Sequence, residues 1–506
     1  MNFREWVTLL KESGKWNANL IELIFSNQLS GELTKRIRFC HDSRSIREGD
    51  IFIALKGERV DGHSFVNEAF RAGASLAVVS ELNPYDGHCL YVEDTLKFIQ
   101  ECAVQWWKKR SLYTIGITGS NGKTTTKEWT KEIIGRFFSK ESVFFNPGSQ
   151  NTEIGLPLAV LNGLETRHRY AVIELGLTHR GDLRALTASF PLNCAVLLNV
   201  GTAHIGNFDN YDALFDAKCE IIDTLPPGSD VVLYWNDKRI RDIRYRYPNH
   251  RFSFFGERVE DTEYNHVSVI DYKIKTVDGS PETEVKIAIG GSVLFLSFNR
   301  FLHRGFVMDI CASLAACSSI LSHEQLCSFD SCFLTLPEGR FEIHPVLGNW
   351  IITDYYNASI ESVGVAMDLL KEMKSIHYID AFRLVLGSVL ETGSYNDTIH
   401  KRIWEKVLES GPTKIYVYNK DRSLMQAFGD REGFIQKRRD VTLFESDNIG
   451  ELASAIADDL SIVKNQAFYF KASRMVKLED VVENVMDFLS RRNTYNPYLQ
   501  IQHSSL

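Results

Sequence analysis

The chain lacks any run of about 18 consecutive apolar residues, the length a helix needs to cross a bilayer, and its apolar runs are short and β-rich. No membrane span is therefore expected. The N-terminal stretch MNFREWVTLLKESGKW breaks its apolar positions with charges every few residues, so it has no continuous apolar core of a secretory signal, and export is not indicated. Nine cysteines (Cys40, Cys89, Cys102, Cys194, Cys219, Cys311, Cys317, Cys327, Cys332) are an odd number without a C-x-x-C pair or a metal-ligand spacing. They fit reduced, mostly buried thiols in a cytoplasmic protein. Charge of one sign is never massed: 57 Lys and Arg stand against 65 Asp and Glu, a net −8 spread along the chain, which disfavours a nucleic-acid surface. Internal repeats and low-complexity tracts are also missing.

What is present is ordinary globular composition, 44% hydrophobic and 24% charged, in a chain of 506 residues. At ~150 residues per domain that is roughly three domains. The first contains DIFIALKG (Asp50–Gly57) and SLAVVSE (Ser75–Glu81), β-like runs either side of a helical pattern at Phe65–Ala72, and reads as a small α/β domain over residues 1–110. The second, 111–336, opens with the apolar run YTIGIT and a Gly-rich turn, then a helix-compatible stretch from Lys123 to Phe138. Buried-strand candidates follow at Tyr170–Leu175, Cys194–Val200 and Val231–Trp235, the rhythm of a doubly wound, mostly parallel sheet. Pro337 and Gly339 in LPEGRFE punctuate the chain before a third α/β unit, 337–506. Its candidate strands are WIITDYY, FRLVLGSV, KIYVYN and AFYFKAS, a Rossmann-like series. The tail after Arg492 has no clear period and is expected to be loosely held.

Thr118–Thr126, TGSNGKTTT, lies between an expected strand and an expected helix, where backbone N–H groups can wrap phosphate oxygens. Gly119 and Gly122 permit close backbone approach, Lys123 offers a point charge for β- and γ-phosphate oxygens, and the Thr124 hydroxyl can ligate Mg²⁺. Ser120, Asn121 and Thr125 complete the expected ATP contacts. The spacing departs from G-x-x-x-x-G-K-S/T, because position 117 is Ile rather than Gly. A surface turn that happens to contain GKT is the alternative.

These residues and the segments that follow resemble the Mur ligase family, ATP-dependent amide-forming enzymes of peptidoglycan precursor synthesis, and within it the MurF type. HDSRSIREGDIFIALKGERVDGHSF (His41–Phe65) resembles the family's uridine-nucleotide region, which implies substrate contacts from Ser43, Arg44, Lys56, Asp61 and His63. SQNTEIGLPLAVL (Ser149–Leu161) resembles an Asn-Asn-x-Ile-Gly-x-Pro segment, with Asn151 as a nucleotide contact and Thr152 in place of the second Asn. IELGLTHRGDL and NVGTAHIGNF imply metal ligation by Glu174 and His204, and FDAKCEII places Lys218 where the family carries a carbamoylated lysine. The stretch NRFLHRGFVMDICASLAAC (Asn299–Cys317) resembles a nucleotide-contacting pattern too loosely to assign contacts.

The hinge segment EGRFE supplies Arg340, expected to be catalytic and to touch ATP. ITDYYNASIESVGVAMDLL resembles D-x-Y-N-A-N-P-x-S, which implies Asp354 on the ATP ribose and Asn357 and Ser362 on substrate, with Ser359-Ile360 replacing Asn-Pro. LGSVLETG keeps Gly387 and Glu391 of its pattern. FKASRMVKLE implies Lys471 and Ser473 as substrate contacts. A D-N-P-R signature, which marks the diamino-acid-adding type, is absent.

The resemblance implies that the carboxylate of a UDP-MurNAc-tripeptide attacks the ATP γ-phosphate. The amine of D-Ala-D-Ala then displaces phosphate from the resulting acyl phosphate. Lys123, Lys218, His204 and Arg340 would be catalytic, and two Mg²⁺ ions would sit on Thr124, Glu174, His204 and Lys218. UDP-MurNAc-tripeptide and D-Ala-D-Ala are the expected partners, a monomer the expected state and the cytoplasm the expected place. Two alternatives stand beside this reading: a family member with a different amine, such as the MurE type, and a nucleotide-binding relic that ligates nothing.

Overall fold

In the computed structural model the described residues are 1–14, 36–57, 60–259, 263–331, 334–420, 422–428 and 441–492. Cys332 and the tail after Arg492 lie outside them. Three sheets follow one another along the chain. The first runs β1 (Phe39–Cys40), β2 (Ile51–Ile53), β3 (Leu76–Val79) and β4 (Cys89–Tyr91) in that order, all parallel.

The central sheet holds nine strands: β5 (Tyr113–Thr118), β6 (Val143–Phe145), β7 (Tyr170–Glu174), β8 (Cys194–Leu197), β9 (Asp230–Tyr234), β10 (Arg251–Glu257), β11 (Asn265–Val277), β12 (Ser280–Ile289) and β13 (Ser292–Phe298). Their order is 13-12-11-10-9-8-5-7-6, so β5 lies between β8 and β7, and helices join the successive strands from β5 to β10. Ile115 and Ile117 of β5 are fully buried because helices cover both faces, a burial worth about 1.5–3 kcal/mol for each side chain. The last two pairings, β11 with β12 and β12 with β13, are antiparallel, and alternate residues of β13 face solvent. That hairpin extension had no counterpart among the candidate strands.

The third sheet, β14 (Glu342–Val346), β15 (Asn349–Thr353), β16 (Ala381–Gly387), β17 (Lys414–Tyr418), β18 (Thr442–Ser446) and β19 (Gln466–Lys471), has the order 14-15-19-16-17-18. It is parallel except for β14 against β15. The architecture is thus the expected one of three α/β layers with a mostly parallel central sheet. No helix among the described residues is long and apolar enough to cross a membrane.

Side chains tie the sheets together. Asn162, on the helix Gly155–Gly163, pairs with the backbone of β1 by accepting from Phe39 N (2.8 Å) and donating to Phe39 O (2.9 Å). Trp106 Nε1 donates to Leu164 O at 3.0 Å. On the other side, the helix Ile360–Ser375 begins against the phosphate loop: Ser359 Oγ donates to Asn121 Oδ1 at 3.1 Å, and Glu361 accepts from Thr202 N at 3.2 Å. Ser359 also caps this helix by accepting from Ser362 N. The substitution of Ser for the family's Asn is therefore doubly used.

Candidate active site

β5 delivers the chain to a tight turn at 119–122, and the helix Lys123–Phe137 leaves it. Gly122 has φ +85°, and a Cβ there would fall 2.1 Å from Asp309 Oδ1, so glycine is required on both counts. The loop is held from below by one side chain: Asn199 Oδ1 accepts from Ser120 N (3.1 Å) and Asn121 N (2.9 Å), and its Nδ2 donates to Asn121 O (3.0 Å). Ser120 Oγ accepts from Gly201 N at 2.8 Å. Lys123 Nζ donates to Gly119 O (2.8 Å); burial pushes its pKa down, Glu174 pulls it back up and Arg340 adds to the lowering. The buried Thr125 hydroxyl has no hydrogen-bond partner among the described residues. Such an orphaned donor beside a lysine suits a polyanion.

Glu174, at the end of β7, is buried and fixed from two sides. Thr124 Oγ1 donates to its Oε2 at 2.8 Å and Asn151 Nδ2 to its Oε1 at 2.6 Å. A carboxylate, a hydroxyl and room for phosphate oxygens form an oxygen donor set that fits a hard cation such as Mg²⁺. Thr152, which departs from the family's Asn, accepts from Gly155 N at 3.2 Å at the head of the next helix. His204 takes a left-handed backbone (φ 66°) at the turn before Ile205–Asn207, and its Nδ1 contacts a Glu391 oxygen. That contact holds the Glu391 carboxyl below its usual pKa range.

Across from the loop stand groups from the third sheet. Asp354 is buried; its Oδ2 accepts from Lys471 Nζ (2.6 Å) and Tyr469 OH (2.7 Å). Burial lowers the Lys471 pKa, against the pull of Asp354. The Arg340 guanidinium lies 4.6 Å over the Tyr356 ring, and its Nε has no hydrogen-bond partner among the described residues. Ser473 Oγ accepts from Leu390 N at 2.9 Å, and Asn357 Oδ1 accepts from Ala358 N at 2.8 Å.

One cavity of about 670 Å³ gathers most of these side chains. From the central domain it takes Ser120, Asn121, Gly122, Lys123, Thr124, Thr125, Asn151, Glu174 and His204; from the C-terminal one, Arg340, Asp354, Asn357, Ser362, Lys471 and Ser473. Gly119 and Lys218 do not line it. Lys218 is buried within the helix Tyr211–Asp223, with no hydrogen-bond or ion-pair partner among the described residues, and burial, then the charge of Lys123, pushes its pKa well below the usual lysine value.

The five N-terminal candidates are also away from the cavity. Ser43 Oγ donates to Glu68 Oε1 (3.1 Å), Arg44 pairs with Asp42 (2.8 Å), and Lys56 lies 3.7 Å from Glu81 and 4.0 Å from Asp61. His63 accepts from Ser80 N at Nε2 (2.9 Å) and faces Asp61 with Nδ1 (2.6 Å). Both ring nitrogens are spent, so the Asp61, His63 and Glu81 group has no imidazole lone pair for a metal.

Sequence reasoning passed over four groups that line the cavity. Tyr234 and Phe255, at the ends of β9 and β10, pack with centroids 5.4 Å apart; His303 stacks on Phe306 at 3.9 Å, and burial pushes its pKa to about 4, so it is neutral at pH 7. Asp309 faces Gly122, and burial raises its pKa well above the carboxylate range. Asn236, just after β9, bonds Glu257 N and O between strands.

Comparison with known proteins places these features. Residues 39–97 match the Mur ligase family, catalytic domain, and 117–293 the Mur ligase middle domain. The chain is 30% identical over 388 residues to the UDP-N-acetylmuramoyl-tripeptide--D-alanyl-D-alanine ligase of Synechocystis, covering 76% of this chain and 79% of that one. It is 29% identical over 457 residues to the Bacillus subtilis enzyme of the same name, covering 88% and 92%. The crystal structure of MurF ligase from Thermotoga maritima in complex with ADP superimposes with a TM-score of 0.73 at 28% identity, over 90% of this chain and 99% of that one. The chain belongs to the Mur ligase family and is of its MurF type.

Proposed function

We propose that the enzyme joins D-alanyl-D-alanine to the terminal carboxyl of UDP-N-acetylmuramoyl-tripeptide with cleavage of ATP to ADP and phosphate, a cytoplasmic step of peptidoglycan precursor synthesis. The observation that carries this reading is the single cavity in which a phosphate loop faces a buried Asp354–Lys471 pair and Arg340 from another domain. ATP transfers phosphate to a carboxylate only where several anions are brought together and neutralised, and this wall of cations suits that task. Residues 1–110 bind the UDP-sugar peptide through Ser43, Arg44, Lys56, Asp61 and His63; 111–336 bind ATP; 337–506 bind the amine. Among the described residues the cavity is lined by the central and C-terminal domains of one chain, which supports a monomer as the active unit.

The aromatic rings of Tyr234, Phe255 and His303 on the cavity wall accommodate the base, and Asp354 the ribose. Lys123 leaves the Gly119 carbonyl for the β- and γ-phosphate oxygens, which the Ser120–Thr125 backbone and the free Thr125 hydroxyl surround. Thr124 and Glu174 would hold one Mg²⁺ and His204 a second, and the ions would supply charge neutralisation to the phosphoryl group in transfer. Unmodified Lys218 does not fit a cation site, since a buried ammonium would repel the metal. Its lowered pKa favours the free amine, whose nitrogen attacks CO₂ with loss of a proton to give a carbamate, which would offer oxygen donors in place of a cation. Arg340 and Lys471 hold the peptide carboxylate and the acyl phosphate, and domain closure keeps water from hydrolysing it.

Hydroxylamine tests this order of steps. With ATP, Mg²⁺ and the UDP-MurNAc-tripeptide but no amine, it should capture the acyl phosphate as a peptide hydroxamate. Phosphate release without hydroxamate would refute an acyl-phosphate route.

A further inference from the structure

His204 and Glu391 come from different domains, yet they meet twice. His204 Nδ1 lies in ion-pair contact with Glu391 Oε2, outside hydrogen-bond alignment, and two residues along, Gly206 N–H donates to Glu391 O at 3.0 Å. The two backbones touch at this point. A Cβ on Gly206 would lie 2.4 Å from Gly393 N and 2.6 Å from Glu391 O, and one on Gly393 would lie 2.7 Å from Gly206 Cα. No side chain fits between them. His204 and Glu391 are both left-handed (φ 66° and 60°), a conformation that non-glycine residues hold only where surrounding structure imposes it. Tyr395 OH, donating to Asp209 O at 3.3 Å, closes the same seam.

A carboxylate beside one imidazole nitrogen attracts that nitrogen's N–H, and when the two align on metal binding it orients the ring and leaves the other nitrogen's lone pair for a ligand. We propose that Glu391 is a positioning residue that turns His204 Nε2 toward the nucleotide's cation, so that this metal position is complete only when the C-terminal domain is docked. The inference rests on the reading of His204 as a metal ligand given above. Charge neutralisation of ATP is thereby tied to closure: in the open enzyme the ring loses its carboxylate, the second cation binds weakly, and ATP is kept from premature cleavage.

Mn²⁺ replaces Mg²⁺ as a paramagnetic probe, titrated into the full chain saturated with ADP and followed by electron paramagnetic resonance. His204→Ala identifies the site that depends on the ring. Glu391→Ala should weaken that site by about 10-fold or more and leave the remaining Mn²⁺ affinity as in wild type. Gly206→Ala, which blocks docking while sparing both side chains, should give the same selective loss, with a larger radius of gyration by solution scattering. Circular dichroism establishes that each variant is folded, and if Gly206→Ala is not, Glu391→Ala carries the test alone. Loss of a site in His204→Ala with wild-type Mn²⁺ binding in Glu391→Ala overturns the positioning role and leaves the metal reading standing. Unchanged binding in His204→Ala overturns the metal reading itself, and the inference with it.

Discussion

Replacing Lys218 by Met should make the unmodified protein more stable and inactive, opposite signs that follow from one observation. The Lys218 amino group is buried without a partner among the described residues, and burial and then the like charge of Lys123 disfavour its charged form. Removing that penalty, with an apolar side chain of similar volume left behind, stabilises by roughly 1–4 kcal/mol, the range for replacing buried ionic groups. At about 2–4 °C per kcal/mol for a domain of ~150–250 residues, melting should rise by about 2–16 °C. The pH dependence has a definite sign. Below the folded-state pKa both folded and unfolded lysines are protonated and the burial cost is fully present; above it the unfolded chain binds the extra proton, so wild-type stability rises with pH until the ordinary lysine value of 10.5 is passed. The gap between variant and wild type should therefore narrow from pH 7 to pH 10. Bicarbonate with Mg²⁺ should narrow it too, by carbamoylating only the wild type. Differential scanning calorimetry in CO₂-free buffer measures the gap, and a lower melting temperature for Lys218→Met at pH 7 would refute the reasoning.

Asp354→Ala leaves the Lys471 ammonium buried and alone, which should cost about 3–5 kcal/mol, whereas Asp354→Asn with Lys471→Met should recover most of that loss; thermal melts of the singles and the double decide it, and additive losses would contradict a coupled pair. Gly122→Ala combines a left-handed backbone with a clash at Asp309, so ADP affinity should fall by more than about 10-fold, and adding Asp309→Ala should restore only part of it because the φ strain of ~1–2 kcal/mol remains. Calorimetric titration with ADP reads both, and wild-type affinity in Gly122→Ala would exclude the loop as the nucleotide's seat.

The phosphate loop was legible because its residue types and its place between strand and helix are local. β5, β7, β8 and β9 announced themselves as continuous apolar runs for the same reason: strands covered on both faces need no alternation. The extension β11–β13 was not legible. Its alternation is broken by a register shift between Val269 and Asp271, and half of its residues face solvent. The helix Arg304–Cys317 hid its function differently: nearly every position from Phe306 to Cys317 is buried, so no polar face singles out Asp309, and only the packing against Gly122 reveals it. Lys218 read equally well as a solvated helix lysine, because burial is a tertiary fact. The meeting of His204 with Glu391 depends on two domains docking, which neither motif encodes by itself. The clearest departures from the family pattern acquire local reasons in the structure, Thr152 as a helix-head acceptor and Ser359 as a cap bonded to Asn121.

The central claim is an amine-specific ligase. Phosphate release from ATP should be followed with Mg²⁺ and UDP-MurNAc-tripeptide, comparing no amine, D-alanyl-D-alanine and a diamino acid, with product mass read in parallel. The account predicts sustained release only with D-alanyl-D-alanine and a product heavier by that dipeptide less water; sustained release with the diamino acid instead, or ADP binding with no release under any amine, would contradict it.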